Sequence, residues 1–351
     1  MSNNVEFGLD TFGDVTVDLE GNELSHAQVI RNVIAEGVLA DEVGLNFIGI
    51  GEHHRADFAV SSPEIVMAAI AAQTSHIHVG SAVTVLSSDD PIRVYQRFSE
   101  VNALSHGRAE VILGRGSFTE SFPLFGFNLN DYEVLFEDKL DLFVQLITEE
   151  PVTWTGVTRP PIENLTVYPP IESGTLKTWI GVGGSPESVV RAARYDLPLM
   201  LAIIGGDPLR FRPFVDLYHR SRLQMGKESL PVGMHSPGFV AATDEQAKDL
   251  AWPHFQAMHA RIGASRGWPA LTRGQFEMEA GPSGALCVGS PETVAVKIAR
   301  AMLGLGVSRF DLKYSMGTLP HEHLREGIRL YGTEVVPRVR EIIAEAGGLG
   351  N

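Results

Sequence analysis

Short, almost wholly apolar runs alternate along the chain with longer segments whose apolar residues recur every three or four positions. Runs at residues 7–13, 47–54, 79–86 and 110–116 each carry glycine and polar side chains in or beside their C-terminal halves. An uninterrupted apolar run suits a parallel strand buried on both faces, with polar residues taking over where it leaves the sheet. Between these runs, Val29, Ile30, Val33, Ile34 and Val38 follow Ser25-His26-Ala27-Gln28 at helical spacing until Gly44. Ile65, Val66 and Ile70 follow Ser62-Pro63-Glu64, and Val94, Phe98 and Val101 follow Asp90-Pro91. Each start offers a capping side chain, and two place proline at the first helical position.

The alternation continues through a helix over 132–149 and strands over 179–182, 199–204, 232–241 and 309–314. Helices are expected from Ser185, Asp207, Thr243 and Ser290, with a terminal helix over 320–346. A Pro- and Thr-rich insertion at 151–178 suggests a hairpin of residues 152–154 and 165–168. Residues 262–286 read as irregular and as a lid. Eight strands alternating with helices predict an α/β fold, a single (β/α)8 TIM barrel spanning residues 1–351 with insertions after strands 4 and 7. An open doubly wound sheet is the alternative, but residues 7–14 lack its Gly-x-Gly-x-x-Gly fingerprint.

A length of 351 residues, 44% of them hydrophobic and 20% charged, allows a large core, and a net charge of −15 disfavours nucleic acid as partner. One cysteine, Cys287, excludes an intrachain disulfide framework and a multi-thiolate metal centre. The first residues, Met1-Ser2-Asn3-Asn4-Val5-Glu6, lack the features of a signal peptide, and no apolar run has transmembrane length. A cytoplasmic protein without membrane contact is expected.

Candidate chemistry gathers at strand ends, the face on which a barrel keeps its site. Glu52-His53-His54 ends the second strand and could be catalytic or merely shape a loop. Gly183-Gly184-Ser185-Pro186-Glu187-Ser188 opens a helix, where close backbone approach and free N–H groups suit an anion but equally make a plain N-cap. Arg115 between Gly114 and Gly116 suits bidentate phosphate binding or a structural ion pair. His76-Ile77-His78 falls at the bottom face, and His321-Glu322-His323 at a helix start, so a metal site is not expected. Asp10 and Asp311 are single acids within strands. No Gly-x-Ser-x-Gly elbow or paired strand-end carboxylates are present, which removes serine hydrolase and glycosidase chemistry.

These residues, in this order and spacing, resemble the bacterial luciferase-like flavin-dependent monooxygenases. The resemblance rests on Gly51-Glu52-His53-His54, the stretch from Val79 to Val83 with Asp90-Pro91-Ile92-Arg93, Leu104-Ser105-His106-Gly107-Arg108, Gly114-Arg115-Gly116, Gly183 to Ser188, Leu197-Pro198 and Val288-Gly289-Ser290-Pro291-Glu292. It implies a dimeric barrel that holds FMN at its C-terminal face. Arg115 with Gly183, Gly184, Ser185 and Ser188 would grip the phosphate. Ser81, Ala82 and Val83 would pass beneath the ring, where relatives often carry a non-prolyl cis peptide. His53, flanked by Glu52 and His54, would be the general base. Reduced FMN, delivered by a separate NAD(P)H:flavin reductase, would act with O2 on a small organic substrate. Gly114 stands where luciferase has a cysteine, so light emission is not implied. Hydride transfer with F420, and a non-catalytic flavin-binding protein, are the competing expectations.

Overall fold

The computed structural model describes residues 5–172 and 175–349. Residues 1–4, read above for a signal peptide, and residues 173–174 of the insertion lie outside the described residues. In chain order the strands are β1 (Glu6–Thr11), β2 (Phe47–Ile50), β3 (His78–Ser81), β4 (Thr84–Val85), β5 (Ala109–Gly114), β6 (Val152–Trp154), β7 (Ile162–Leu165), β8 (Lys177–Val182), β9 (Leu199–Ala202), β10 (Val232–Val240), β11 (Cys287–Gly289) and β12 (Arg309–Lys313). The α-helices are α1 (His26–Glu42), α2 (Pro63–Ala71), α3 (Pro91–Leu104), α4 (Ser121–Phe125), α5 (Tyr132–Thr148), α6 (Pro186–Arg194), α7 (Arg212–Gln224), α8 (Asp244–Arg266), α9 (Arg273–Ala280), α10 (Pro291–Leu305), α11 (His321–Leu330) and α12 (Val336–Glu345).

Eight parallel strands close on themselves in the order β12-β1-β2-β3-β5-β8-β9-β10, with β10 returning to β12. The barrel expected from the alternation is the one observed. β4 prolongs the path of β3 and pairs with β5, while β11 joins the far end of β10.

Side chains leave each strand alternately inward and outward, which divides the apolar residues into two layers. Phe7, Leu9, Ile48, Ile50, Val111 and Leu113 pack outward into the large core beneath the helices. Phe47, Ile112, Trp179 and Met200 form a small separate cluster inside, with Val83 against it. Below them an ionic group fills the bottom of the barrel. Arg309 lies 3.8 Å over the Phe47 ring, 2.6 Å from Glu110 and 3.0 Å from Asp311. Glu110 also meets His78 at 2.9 Å and Lys177 at 3.0 Å. His78 thus belongs to the bottom, as its place at the start of β3 implies.

The helix starts follow the sequence closely. Ser25 and Asp90 accept backbone N–H bonds at the heads of α1 and α3. Ser62 occupies the cap position of α2, but its side chain makes no capping bond and Pro63 sets the start alone.

Two expectations need correction. The insertion hairpin pairs Val152–Trp154 with Ile162–Leu165, so its second strand lies before residues 166–168. Buried Trp154 and Ile162 face each other there, and Trp154 Nε1 donates to Asp141 of α5 at 2.9 Å, which pins the register. The segment read as irregular is mostly helical. α8 runs through Arg266, and α9 starts at a capping box in which Thr272 and Gln275 exchange bonds. In α9 only Phe276 and Ala280 are buried, too few apolar positions for a visible period.

Candidate active site

β5 and β8 pair from Glu110↔Lys177 to Leu113↔Ile180, so their C-terminal loops leave the barrel side by side. One loop carries Arg115. The other runs through Gly183 and Gly184 into α6, where Ser185 is the N-cap, accepting from Ser188 N at 3.3 Å and donating to Glu187 Oε2 at 2.8 Å. The capping role and the open site coexist. A Cβ on Gly183 would meet nothing within 4 Å, and Gly184, at φ +121°, has Phe211 as its nearest neighbour at 3.9 Å. The backbone before the helix start is therefore unobstructed, which lets an anion approach the head of α6 closely.

Two guanidiniums converge on this place. Arg115 pairs with Glu133, its guanidinium 5.3 Å above the Tyr132 ring. Arg191, buried on α6, reaches the other oxygen of Glu133 at 3.2 Å, Glu137 at 2.6 Å and Ser188 Oγ at 3.3 Å. Glu187 is held below the ordinary carboxylate range by its own backbone N–H and the Ser185 hydroxyl, with Arg115 and Arg191 adding to the effect. The expected partners Arg115, Ser185 and Ser188 are thus brought together. Arg191 was not anticipated, although its spacing of three from Ser188 puts both on one helix face.

The floor of the mouth comes from the break between β3 and β4. The peptide between Ala82 and Val83 is cis. Ser81 Oγ both donates to Ile112 O and accepts from Ile112 N, each at 3.2 Å, fastening this bend to β5. Val83 turns toward two glycines. A Cβ on Gly114 would lie 2.5 Å from Val83 Cγ2, and one on Gly181 3.2 Å from Val83 Cγ1. Without side chains on either glycine, Val83 presents a low, flat apolar surface.

The Glu52-His53-His54 run divides. The His53 ring sits among Phe12, Phe58 and Phe118, with centroids 4.6, 4.5 and 4.9 Å away, and its Nε2 is buried without a hydrogen-bond partner. Burial, with the nearby cations Lys313, Arg55 and Arg266 and with His54, lowers its pKa to about 3, so the ring is neutral. Glu52 and His54 turn the other way. Glu52 accepts from His54 Nε2 at 2.8 Å and from Val85 N at 3.1 Å, bracing β4. They line a cleft of about 380 Å³ with Glu64, Arg97 and Lys139, on the far side of the loop from the phenylalanine cage. The segment over 262–286 reaches the cage, since Arg266 lies 4.5 Å over the Phe118 ring and donates to Ser117 O at 2.9 Å.

Among the described residues no cluster of His, Cys, Asp or Glu is arranged to hold a metal, and no helix is long and apolar enough to cross a membrane.

Comparison with known proteins agrees with this architecture. The chain is 25% identical over 246 residues to the alkanal monooxygenase alpha chain of Photorhabdus luminescens, covering 67% of this chain and 65% of that one. Another curated relative is matched over 39% of its length. Among solved structures, monooxygenase RslO1 from Streptomyces bottropensis superposes with a TM-score of 0.81 at 20% identity, covering 95% of this chain and 99% of that chain. The oxygenating constituent of 3,6-diketocamphane monooxygenase from Pseudomonas putida, in complex with FMN, gives 0.76 at 18% identity, with 96% and 99% covered. An F420-dependent secondary alcohol dehydrogenase gives 0.74 at 15% identity over the same shares. The sequence model of the family described as luciferase-like monooxygenase matches residues 6–309, from the first barrel strand to the start of the last, and the chain belongs to that family.

Proposed function

We propose that the protein is a flavin-dependent monooxygenase that takes up reduced FMN and uses it with O2 to oxygenate a small organic substrate. The observation that carries this reading is the meeting of Arg115 and Arg191 beside the open Gly183–Gly184 backbone at the head of α6. Two guanidiniums, a helix N-terminus and two serine hydroxyls match the charge and donor needs of a phosphomonoester. In this reading Arg115 and Arg191 transfer part of their pairing from Glu133 to the phosphate, and Ser188 donates to it.

Val83 supports a planar ring, and the absence of side chains on Gly114 and Gly181 lets Val83 lie low enough to do so. FMN, when bound, supplies the electrons and the carbon centre at which O2 is activated. Phe12, Phe58 and Phe118 keep water from His53, whose ring is held neutral and whose unpaired Nε2 can form a hydrogen bond with a group entering the mouth. Glu52 and His54 act as supports, through Val85 N and the loop after β2. A separate NAD(P)H:flavin reductase, a homodimeric state and a cytoplasmic location belong to the same proposal.

The test is anaerobic titration of the purified protein with FMN and with F420, followed by O2 uptake with reduced FMN against aldehydes, alkanes, sulfonates and aromatic amines. FMN binding and substrate-dependent O2 uptake that falls in His53→Ala are expected. Binding of F420 without FMN would move the assignment to hydride transfer, in keeping with the F420-dependent neighbour. Flavin binding with no O2 uptake on any substrate would leave a carrier without catalysis.

A further inference from the structure

One buried titratable pair lies inside the barrel, away from the phosphate rim. Asp10 is on β1 and His235 on β10, 225 residues apart in sequence, with β12 between them. Their side chains meet across the interior, His235 Nδ1 standing 2.6 Å from Asp10 Oδ2. Asp10 is 1% exposed, and its other oxygen has no hydrogen-bond partner. A carboxylate buried in this way is costly unless a cation faces it, which favours a proton on both imidazole nitrogens, with Nδ1–H donating to Asp10.

The charged groups facing His235 are Asp10 from β1 and Asp311 and Lys313 from β12. β9 contributes Ala202 in register beside it. Lys313 is engaged by both oxygens of Asp14, at 2.9 and 2.8 Å. Burial opposes the imidazolium, but Asp10 and then Asp311 outweigh it, and the pKa of His235 is raised.

The pair occupies the tier just under the mouth. Asp10 precedes by two residues Phe12, a wall of the His53 cage, and His235 is level with the last residue of β9. The lower barrel is filled by Phe47, Trp179 and Arg309, whereas His235 keeps 15% of its side-chain surface open. β12 and β1 stand across the barrel from β5 and β8, so the wall that carries Asp10 faces the α6 rim across the mouth.

We propose that His235, held by Asp10, binds the anionic edge that a flavin ring acquires on two-electron reduction, and so selects the reduced over the oxidised form. The inference rests on the flavin reading above. Reduction lets negative charge settle on the pyrimidine side of the ring, while the oxidised ring is neutral. A fixed imidazolium therefore discriminates between the two without any bond being made or broken.

The experiment compares the dissociation constants of oxidised and of anaerobically reduced FMN for wild type, His235→Gln and Asp10→Asn, between pH 6 and 9. It is paired with NMR titration of the ¹⁵N-labelled histidines in the flavin-free wild-type protein. The expected result is a preference for reduced FMN that drops about tenfold or more in His235→Gln, with affinity for oxidised FMN changed less than about threefold. The difference between wild type and His235→Gln should shrink as pH rises through the pKa of His235. Asp10→Asn should lose the preference at neutral pH and regain it at lower pH. A neutral His235 at pH 7 by NMR overturns the inference even if neither variant folds. Flavin binding with equal preference in wild type and His235→Gln overturns it alone, and wild-type protein that binds flavin in neither state overturns the flavin reading together with it.

Discussion

Val83 fills the space that a side chain at Gly114 would need, with Cγ2 only 2.5 Å from where a Cβ would stand. The glycine ends β5, and the valine follows the cis peptide after β3, so the two strands can come together here only while one partner has no side chain. Gly114→Ala should therefore destabilise the fold by about 1–3 kcal/mol through overpacking. Val83→Ala in the same chain should recover most of the loss. Urea denaturation of the single and double variants measures both, and a Gly114→Ala protein as stable as wild type would contradict the packing described.

At the phosphate rim, Arg115→Ala should weaken FMN binding by more than about 1 kcal/mol, because charge-assisted hydrogen bonds are lost. Glu133 pairs with both Arg115 and Arg191 and would compete with a phosphate. Glu133→Gln should consequently bind FMN as well as wild type or more tightly. Fluorescence titration decides, and equal weakening in the two variants would show that Glu133 organises the rim instead of competing for it.

His53 gives a pH signature. Its pKa in the folded protein, about 3, lies below the ordinary value of 6.5, so between these limits the unfolded chain binds the extra proton. The stability it contributes is fully present above about pH 6.5 and is lost as pH falls toward 3. His53→Gln should remove up to about one proton from the slope of unfolding free energy against pH in that window. Chemical denaturation at a series of pH values tests this, and an unchanged slope would mean that the ring is not held neutral.

At the bottom of the barrel, Glu110 is held well below the usual carboxylate range: burial pushes it up, but Arg309, His78 and Lys177 prevail. Glu110→Gln leaves Arg309 without that charge while Asp311 remains. A loss of about 3–5 kcal/mol is expected from breaking a buried ion pair. The FMN affinity of the folded fraction should stay within about twofold, since Glu110 lies far below the rim. A thermal melt and a titration on the same preparation separate the two effects.

The barrel was legible because its strands are buried on both faces. Phe47-Ile48-Gly49-Ile50 cannot be read as anything half-exposed, and the capping residues Ser25, Asp90 and Ser185 mark helix starts within a residue. α9 was not legible, because its two buried residues leave no period to detect. The rim was half legible. Arg115 and Ser185 sit at strand ends where the fold announces them, whereas Arg191 lies within a helix and looks like any exposed arginine until Glu133 and Glu137 are placed around it. Asp10 read as a solitary acid because its partner is 225 residues away, and only barrel closure brings them together. The Glu52-His53-His54 run was legible as a cluster but not as a divided one, since strand-end residues alternate in direction and the sequence does not show where the loop turns.

The ring of Arg309, Glu110 and Asp311 beneath, and the open backbone of Gly183 and Gly184 at the rim above, give the barrel two tiers with separate duties. Cohesion is concentrated in the base, and vacancy is reserved for the top. Evolutionary drift in exposed side chains along that rim can retune which guest is admitted at little cost in heat tolerance, whereas drift in the buried charges of the base would undermine the cup before any new preference could be selected.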